Sequence, residues 1–186
     1  MLINYFTILW VCFEASLIVR DRVRGRGKTA HDRGTIYFNI LAIAGGLTTA
    51  GFIAATTHFD IPYVSHAVLS RTGFSVMLLG FAIRVWAVSV LGSSFRTTVE
   101  THRDQKVTKE GPYRLVRHPS YTGLLLLCTG SGIATRNWLS LIVSIVLPLA
   151  ALIYRIRVEE EMLATSLGAE YQEYRKRTKR LIPGLW

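Results

Sequence analysis

The sequence predicts an all-α fold: an integral membrane bundle of about five transmembrane helices, followed by a cytosolic C-terminal helix. Half of the 186 residues are hydrophobic and only 18% are charged, so the chain is more apolar than a typical soluble domain. It also contains several nearly uncharged runs close to the roughly 20 residues that a helix needs to cross a bilayer. We therefore expect a single membrane domain over residues 1–186.

The first three spans are expected in the N-terminal half of the chain. The apolar runs are residues 2–19, 36–57 and 68–91. Glu14 interrupts the first run, the second is uncharged, and the third contains Arg71 and Arg84. An arginine inside a bilayer is costly unless it reaches water or faces the bundle interior. Arg84 has two possible placements, facing a tunnel inside the bundle or snorkelling to the cytosolic interface, and its position near the inner end of the span favours snorkelling.

The last two spans are expected to form an antiparallel hairpin. Residues 120–135 and 138–154 are each short for a span, and a polar break at Arg136 and Asn137 separates them. Together they are too long for one span, which favours a tight turn at the break. In the second span, the glycines Gly45, Gly46 and Gly51 are expected to permit close helix packing within the chain, with packing between chains as the alternative.

Charge placement gives the bundle a direction. Basic residues follow the first span and recur before the hairpin and in the tail, whereas residues 58–70 contain no lysine or arginine. By the positive-inside rule, these basic segments face the cytosol and the N-terminus lies outside. Such loops also explain the net charge of +10, so membrane lipids are expected partners and nucleic acid is not. The expected division is residues 1–91 for three spans, 92–118 for a cytosolic loop, 119–154 for the hairpin, and 155–186 for the cytosolic helix and tail.

The most unusual segment is GPYRLVRHPSYTG, residues 111–123, at the cytosolic edge of the hairpin. Pro119 restricts His118 to an extended conformation and suits the first position of the helix that follows. A helix N-terminus is receptive to anions, and Arg114, Arg117 and His118 add donors to it. Interfacial anchoring explains each residue singly, but their clustering favours a binding site.

A second polar cluster follows the last span in RIRVEEEML, residues 155–163. Arg155 and Glu159 are one helical turn apart, a spacing that allows them to pair. Three adjacent acids at a membrane surface, from Glu159 to Glu161, require a positive neighbour or a cationic ligand. An exposed helix with ordinary surface ion pairs is the alternative interpretation.

The segments GPYRLVRHPSY, RIRVEEEML and LGAEYQEY together resemble the isoprenylcysteine carboxyl methyltransferase family and its bacterial and archaeal relatives. The resemblance covers residues 105–185. It implies an enzyme that uses S-adenosylmethionine to methylate a lipophilic or prenylated substrate drawn from the bilayer, at a carboxylate. It also implies a multi-pass protein of the cell membrane in a prokaryote, or of the endoplasmic reticulum in a eukaryote, with its active site facing the cytosol.

The resemblance further implies roles for individual residues. Arg155 and Glu159 are the expected catalytic residues, and no metal is expected. A carboxylate nucleophile is already ionised near neutral pH and therefore needs no general base. It does need to be oriented, and the planar guanidinium of Arg155 has the geometry to bind a carboxylate in a fixed orientation. The expected cofactor-binding residues are Val107, Gly111, Tyr113, Arg117, His118, Tyr121 and Glu160.

Three other functions compete with this hypothesis. Related membrane enzymes methylate phospholipid amines, a reaction in which a glutamate base removes a proton from the ammonium. Membrane sterol reductases, which use NADPH, share a histidine–proline segment. Their segment reads RHPNY, whereas this chain has Ser120 in place of the asparagine. Their tail also contains a cysteine pattern, whereas the tail of this chain has the acidic cluster from Glu159 to Glu161 and no cysteine. A non-catalytic scaffold leaves the clustered polar residues unexplained. The sequence leaves the natural substrate and the oligomeric state open.

Overall fold

The computed structural model describes residues 2–23, 34–97 and 107–186 and forms five long α-helices within them. The helices are α1 (Leu2–Val23), α2 (Thr35–Thr56), α3 (His66–Leu91), α4 (Pro119–Ala134) and α5 (Trp138–Arg177). Short 3-10 turns lie at Gly92–Ser94 and Gly111–Arg114. Across the described ranges, extended pairing is limited to isolated bridges between Asp60 and Asn137 and between Val116 and Lys179. The predicted all-α fold is confirmed.

Four of these helices, α1, α2, α3 and α5, are long and apolar enough to cross a membrane. Large apolar side chains such as Leu41 and Phe52 on α2 are exposed on the outside of the bundle, as expected of a surface that faces lipid. Helix α4 has 16 residues, which at about 1.5 Å per residue is shorter than a hydrocarbon core of roughly 30 Å. The chain is a multi-pass membrane protein, and a fifth crossing by α4 remains a prediction.

Helix α5 continues through the predicted end of the hairpin, so that the fifth apolar run and the C-terminal helix form one helix of 40 residues. It begins at a cap where the Asn137 side chain accepts a hydrogen bond from Ser140 N at 3.1 Å. The helix is interrupted at Gly168, whose φ of 56° is a left-handed conformation that glycine adopts readily. Beyond Gly168, the Tyr174 hydroxyl donates to Tyr113 O at 2.7 Å and ties α5 to the second 3-10 turn.

Helices α3 and α4 pack with their backbones in direct contact at four glycines. A Cβ atom on Gly80 would lie 2.6 Å from Gly123 O, and one on Gly73 would lie 2.6 Å from Gly130 O. On each helix the two glycines are seven residues apart, about two helical turns, so they form one stripe. The stripe allows an approach that any larger residue would block.

The packing role expected for the glycines of the second span is confirmed only in part. A Cβ atom on Gly46 would lie 3.6 Å from side-chain atoms of Leu147 and Pro148 on α5, which is ordinary contact. Gly45 and Gly51 have no atom within 4 Å of such a position. Helix α2 therefore contacts α5 without the close glycine packing that joins α3 to α4.

The C-terminal segment is fastened beside the start of α4 by a buried carboxylate. Arg117 N donates to Lys179 O at 2.7 Å, and His118 N donates to Arg180 O at 3.0 Å. Glu160 of α5 is only 3% exposed and accepts hydrogen bonds from Arg117 Nε at 2.8 Å and Arg180 Nη2 at 2.9 Å. His118 Nε2 lies 3.4 Å from the same carboxylate. One carboxylate thus joins the loop before α4, helix α5 and the tail.

Replacing Gly80 by alanine tests the α3–α4 contact. The new methyl group would overlap the α4 backbone, and overpacking of this kind costs about 1–3 kcal/mol. We expect the melting temperature of the detergent-solubilised protein to fall by several degrees. Gly45→Ala is the matched control, since its methyl group enters open space. Equal melting temperatures for the two variants would contradict the close contact.

Replacing Glu160 by glutamine tests the attachment of the tail. The substitution leaves Arg117 and Arg180 without their buried carboxylate, and breaking a buried pair is strongly destabilising. We expect trypsin to cleave after Lys179 and Arg180 faster than in the wild type, followed by mass spectrometry over time. Glu173→Gln is the control, since its ion pairs with Lys176 and Arg177 are exposed and contribute little. Unchanged cleavage of the Glu160 variant would show that the tail is held in another way.

Candidate functional site

A cavity of about 430 Å³ lies among α1, α2, α5 and the segment that leads into α4. Its wall along α1 and α2 is mainly apolar, whereas charged and aromatic side chains from α4 and α5 line the other part. The apolar lining includes Val11, Ala15, Ile18, Ile36, Ile40, Ile43, Ala44 and Leu47. One cavity therefore contacts both a polar cluster and a lipophilic wall.

Seven of the nine site residues predicted from the sequence line this cavity. They are Val107, Tyr113, Arg117, His118, Tyr121, Arg155 and Glu159. The other two, Gly111 and Glu160, do not line it. Gly111 has a φ of 53° and lies against α3, where an added Cβ atom would be 2.9 Å from Val90 Cγ2, and Glu160 lies in the ion network of the tail. Both residues shape the surroundings of the cavity, and the catalytic and cofactor-binding roles of all nine residues stay predictions.

Arg155 is the charged residue at the centre of the hydrogen bonds that form the polar end of the cavity. Its side chain is buried, with 5% exposure. Its Nε donates to the Tyr121 hydroxyl at 2.7 Å, its Nη1 donates to Thr35 Oγ1 at 2.9 Å, and its Nη2 donates to Thr97 O. The planar guanidinium is thus held by α4, by α2 and by the segment after α3, which fixes its orientation.

The Tyr121 hydroxyl connects Arg155 to the carboxylate one turn further along α5. It accepts from Arg155 and donates to Glu159 Oε2 at 2.7 Å. The His118 ring stacks on the Tyr121 ring with centroids 5.5 Å apart, and its Nδ1 lies 3.9 Å from Glu159 Oε2. The pairing of Arg155 with Glu159 that the sequence predicts is therefore bridged by a phenol from α4. Glu159 is partly exposed and directs negative charge at the cavity.

Tyr113 contributes an aromatic wall and a fixed hydrogen-bond donor. Its hydroxyl donates to Ala87 O of α3 at 3.3 Å. Burial, and then the negative charge of nearby Glu159, raise the pKa of the Tyr113 hydroxyl well above its usual value. The hydroxyl stays protonated over the physiological pH range, and the ring anchors the 3-10 turn against α3.

The prediction that Arg84 snorkels to the cytosolic interface is wrong. The Arg84 side chain is buried, with 7% exposure, and points inward. Its Nη2 donates to Glu14 Oε2 at 2.6 Å and its Nη1 donates to Ser120 Oγ at 2.6 Å. Glu14 of α1 offsets the charge inside the bundle, which makes burial of the guanidinium tolerable. Both residues line the cavity, so an ion pair between α1 and α3 forms part of its wall.

Two buried polar atoms in the cavity wall have no hydrogen-bond partner among the described residues, Asn39 Oδ1 and Tyr171 Oη. The Asn39 amide nitrogen donates to Thr35 O at 2.8 Å, which orients the side chain and leaves the oxygen as an acceptor. Leaving a buried polar group unsatisfied costs about 1–3 kcal/mol. These atoms mark places where a bound molecule would gain hydrogen bonds.

Sequence reasoning missed the residues that α1, α2 and the segment after α3 contribute, which are Glu14, Thr35, Asn39 and Thr97. Asn39 lies inside an apolar run, whereas Thr35 and Thr97 lie just outside the runs, and none of the three belongs to a motif. Glu14 did offer a signal, since an acid in one span and an arginine in another predict an intramembrane pair. Combining Glu14 with Arg84 would have placed α1 beside α3.

The sequence model described as phospholipid methyltransferase matches residues 69–170, more than half of the chain. Protein-S-isoprenylcysteine O-methyltransferase B of Arabidopsis thaliana is 32% identical over 120 residues, which cover 63% of this chain and 61% of that protein. Protein-S-isoprenylcysteine O-methyltransferase of Saccharomyces cerevisiae is 35% identical over 130 residues, which cover 67% and 54%. The chain thus spans little more than half the length of these relatives.

The fold is similar to the solved structure of the eukaryotic intramembrane Ras methyltransferase, isoprenylcysteine carboxyl methyltransferase. The TM-score is 0.63 at 23% sequence identity, with 97% of this chain and 65% of that chain covered. The family match includes His118, Tyr121, Arg155 and Glu159, which meet at the polar end of the cavity. The chain belongs to the phospholipid methyltransferase family, which its sequence and its fold connect to the isoprenylcysteine carboxyl methyltransferases.

Proposed function

We propose that the chain transfers a methyl group from S-adenosylmethionine to the carboxylate of a lipophilic molecule in the membrane. The observation that carries this proposal is a single cavity in which the buried Arg155 guanidinium meets a long apolar wall. Helix α2 lines the cavity from Ile36 to Leu47, a distance of about 16 Å along the helix axis. Such a surface suits an extended hydrocarbon chain whose polar head lies near Arg155.

The polar end of the cavity fits S-adenosylmethionine, which carries an ammonium, a carboxylate and ribose hydroxyls. Glu159 is an acceptor for the ammonium, and His118 is a donor for the carboxylate. The unsatisfied Tyr171 hydroxyl and Asn39 oxygen are available for hydroxyl or ammonium groups. When bound, the cofactor supplies an electrophilic methyl group on a sulfonium.

The residues of this chain then have to position the acceptor and exclude water. Arg155 orients the substrate carboxylate, and the hydroxyls of Tyr121 and Thr35 hold the guanidinium in place. The carboxylate is ionised near neutral pH, so none of these residues needs to remove a proton. Glu159 accepts a hydrogen bond from the Tyr121 hydroxyl, and its negative charge offsets the positive charge of the neighbouring Arg155.

The curated relatives favour a carboxylate acceptor over the two alternatives, a phospholipid amine and an NADPH-dependent reduction. For an amine, Glu159 would be the group placed to accept the proton. The positive-inside pattern supports a cytosolic location for the polar end, because the basic segment before α4 and the end of α5 both border it. S-adenosylmethionine would then enter from the aqueous side, and the lipophilic substrate from the bilayer.

Two measurements on the detergent-solubilised protein test this proposal. Calorimetric titration with S-adenosylhomocysteine, with NADPH in a parallel run, should show binding of the former alone. Transfer of labelled methyl from S-adenosylmethionine should then be detected with N-acetyl-S-farnesylcysteine and not with phosphatidylethanolamine vesicles. Methylation of the vesicles alone would move the assignment to N-methylation, and binding of NADPH alone would overturn the methyltransferase proposal.

Replacing Arg155 by alanine should abolish orientation of the carboxylate. Misplacement of a reacting group costs on the order of 100-fold in rate, so we expect at least that loss in kcat/KM for N-acetyl-S-farnesylcysteine, with S-adenosylhomocysteine still bound. Arg157→Ala is the matched control, because Arg157 is exposed two residues further along the same helix. Full turnover by the Arg155 variant would remove the orienting role.

A further inference from the structure

We propose that Asp21, near the C-terminal end of α1, is a positioning residue that holds Arg155 through Thr97 and so determines recognition of the substrate carboxylate. This inference rests on the proposed function. It assigns a role in the reaction to the first span, which none of the recognised motifs reaches.

The contacts form a short chain of hydrogen bonds from α1 to α5. Asp21 is 2% exposed, and its Oδ2 accepts from Thr97 N at 2.6 Å and from Thr97 Oγ1 at 2.9 Å. Thr97 O in turn accepts from Arg155 Nη2. Because one carboxylate oxygen binds both the amide and the hydroxyl of Thr97, it fixes the peptide that presents the carbonyl to Arg155.

The position of Asp21 is unfavourable for α1 taken by itself. A carboxylate in the last turn of a helix lies at the negative end of the helix dipole, and its burial requires compensation. Arg20 provides part of this compensation, since its Nη2 lies 3.3 Å from the other oxygen of Asp21. The remaining carboxylate oxygen accepts hydrogen bonds from Thr97, which itself contacts Arg155. The rest of the compensation for burying Asp21 therefore comes from the candidate site.

Helix α2 supports the guanidinium of Arg155 from another direction. Thr35, at the start of α2, is fully buried and accepts from Arg155 Nη1. Its backbone carbonyl accepts from the Asn39 amide one turn later. The start of α2 thus contacts Arg155 directly through Thr35, whereas the end of α1 acts on it through Thr97, and Asp21 is the charged member of this arrangement.

The test compares a lipophilic acid with its neutral ester. Binding of N-acetyl-S-farnesylcysteine and of its methyl ester to the full chain is measured by calorimetry in the presence of S-adenosylhomocysteine. The wild type should bind the acid more tightly than the ester, because only the acid pairs with Arg155. Asp21→Ala should reduce this preference about tenfold, the size of one hydrogen bond to a charged group, while affinity for the ester changes less than twofold.

A conservative variant and a control separate positioning from stability. Asp21→Asn keeps an oxygen that accepts both hydrogen bonds from Thr97, so it should restore most of the preference. Asp60→Ala, which removes an exposed acid at the other end of α2, should leave the preference unchanged.

The outcomes distinguish the inference from the proposed function. An unchanged acid preference in Asp21→Ala would overturn the inference while leaving the proposed function standing. Equal losses for acid, ester and S-adenosylhomocysteine, with a lower melting temperature, would show a purely structural role and would also overturn it. A wild type that binds acid and ester equally and transfers no methyl group would overturn the proposed function, and the inference with it.

Discussion

The structure depends on keeping the Arg155 guanidinium buried and fully oriented inside a membrane bundle. A buried charge is tolerated only when hydrogen bonds and neighbouring charges compensate for its lost hydration. Helix α5 alone cannot supply them, because the named partners of Arg155 lie on other segments: Tyr121 on α4, Thr35 on α2, and Thr97 after α3. These contacts with Arg155 bring together the segments that form the polar end of the cavity.

The glycine stripe sets the distance at which these partners can meet. Because Gly80 and Gly123 bring the backbones of α3 and α4 into contact, Arg84 on α3 can reach Ser120 at the start of α4. The same arginine binds Glu14 and thereby holds α1 against the bundle. The start of α4, which carries Tyr121, is therefore positioned by contacts with α3 and, through Arg84, with α1.

The sequence predicted the parts of the site that are local in the chain. Arg155 and Glu159 are one helical turn apart, and His118 and Tyr121 flank a helix start marked by Pro119, so their proximity follows from backbone geometry. The helices themselves were predictable from apolar runs of membrane length. The contribution of Thr35 was not, because a threonine at the edge of an apolar span has the same appearance whether it contacts lipid, a neighbouring helix or a buried guanidinium. Such contacts depend on which helices are neighbours, and a single sequence does not contain that information.

The three adjacent acids of α5 show how helix geometry separates roles that sequence alone leaves merged. Successive residues on a helix point about 100° apart. Glu160 consequently points into the bundle with 3% exposure and binds Arg117 and Arg180, whereas Glu159 is partly exposed and lines the cavity beside Tyr121. Glu161 points outward. Adjacent acids thus have different roles because they point in different directions: Glu160 anchors the tail, and Glu159 supplies negative charge to the proposed cofactor site.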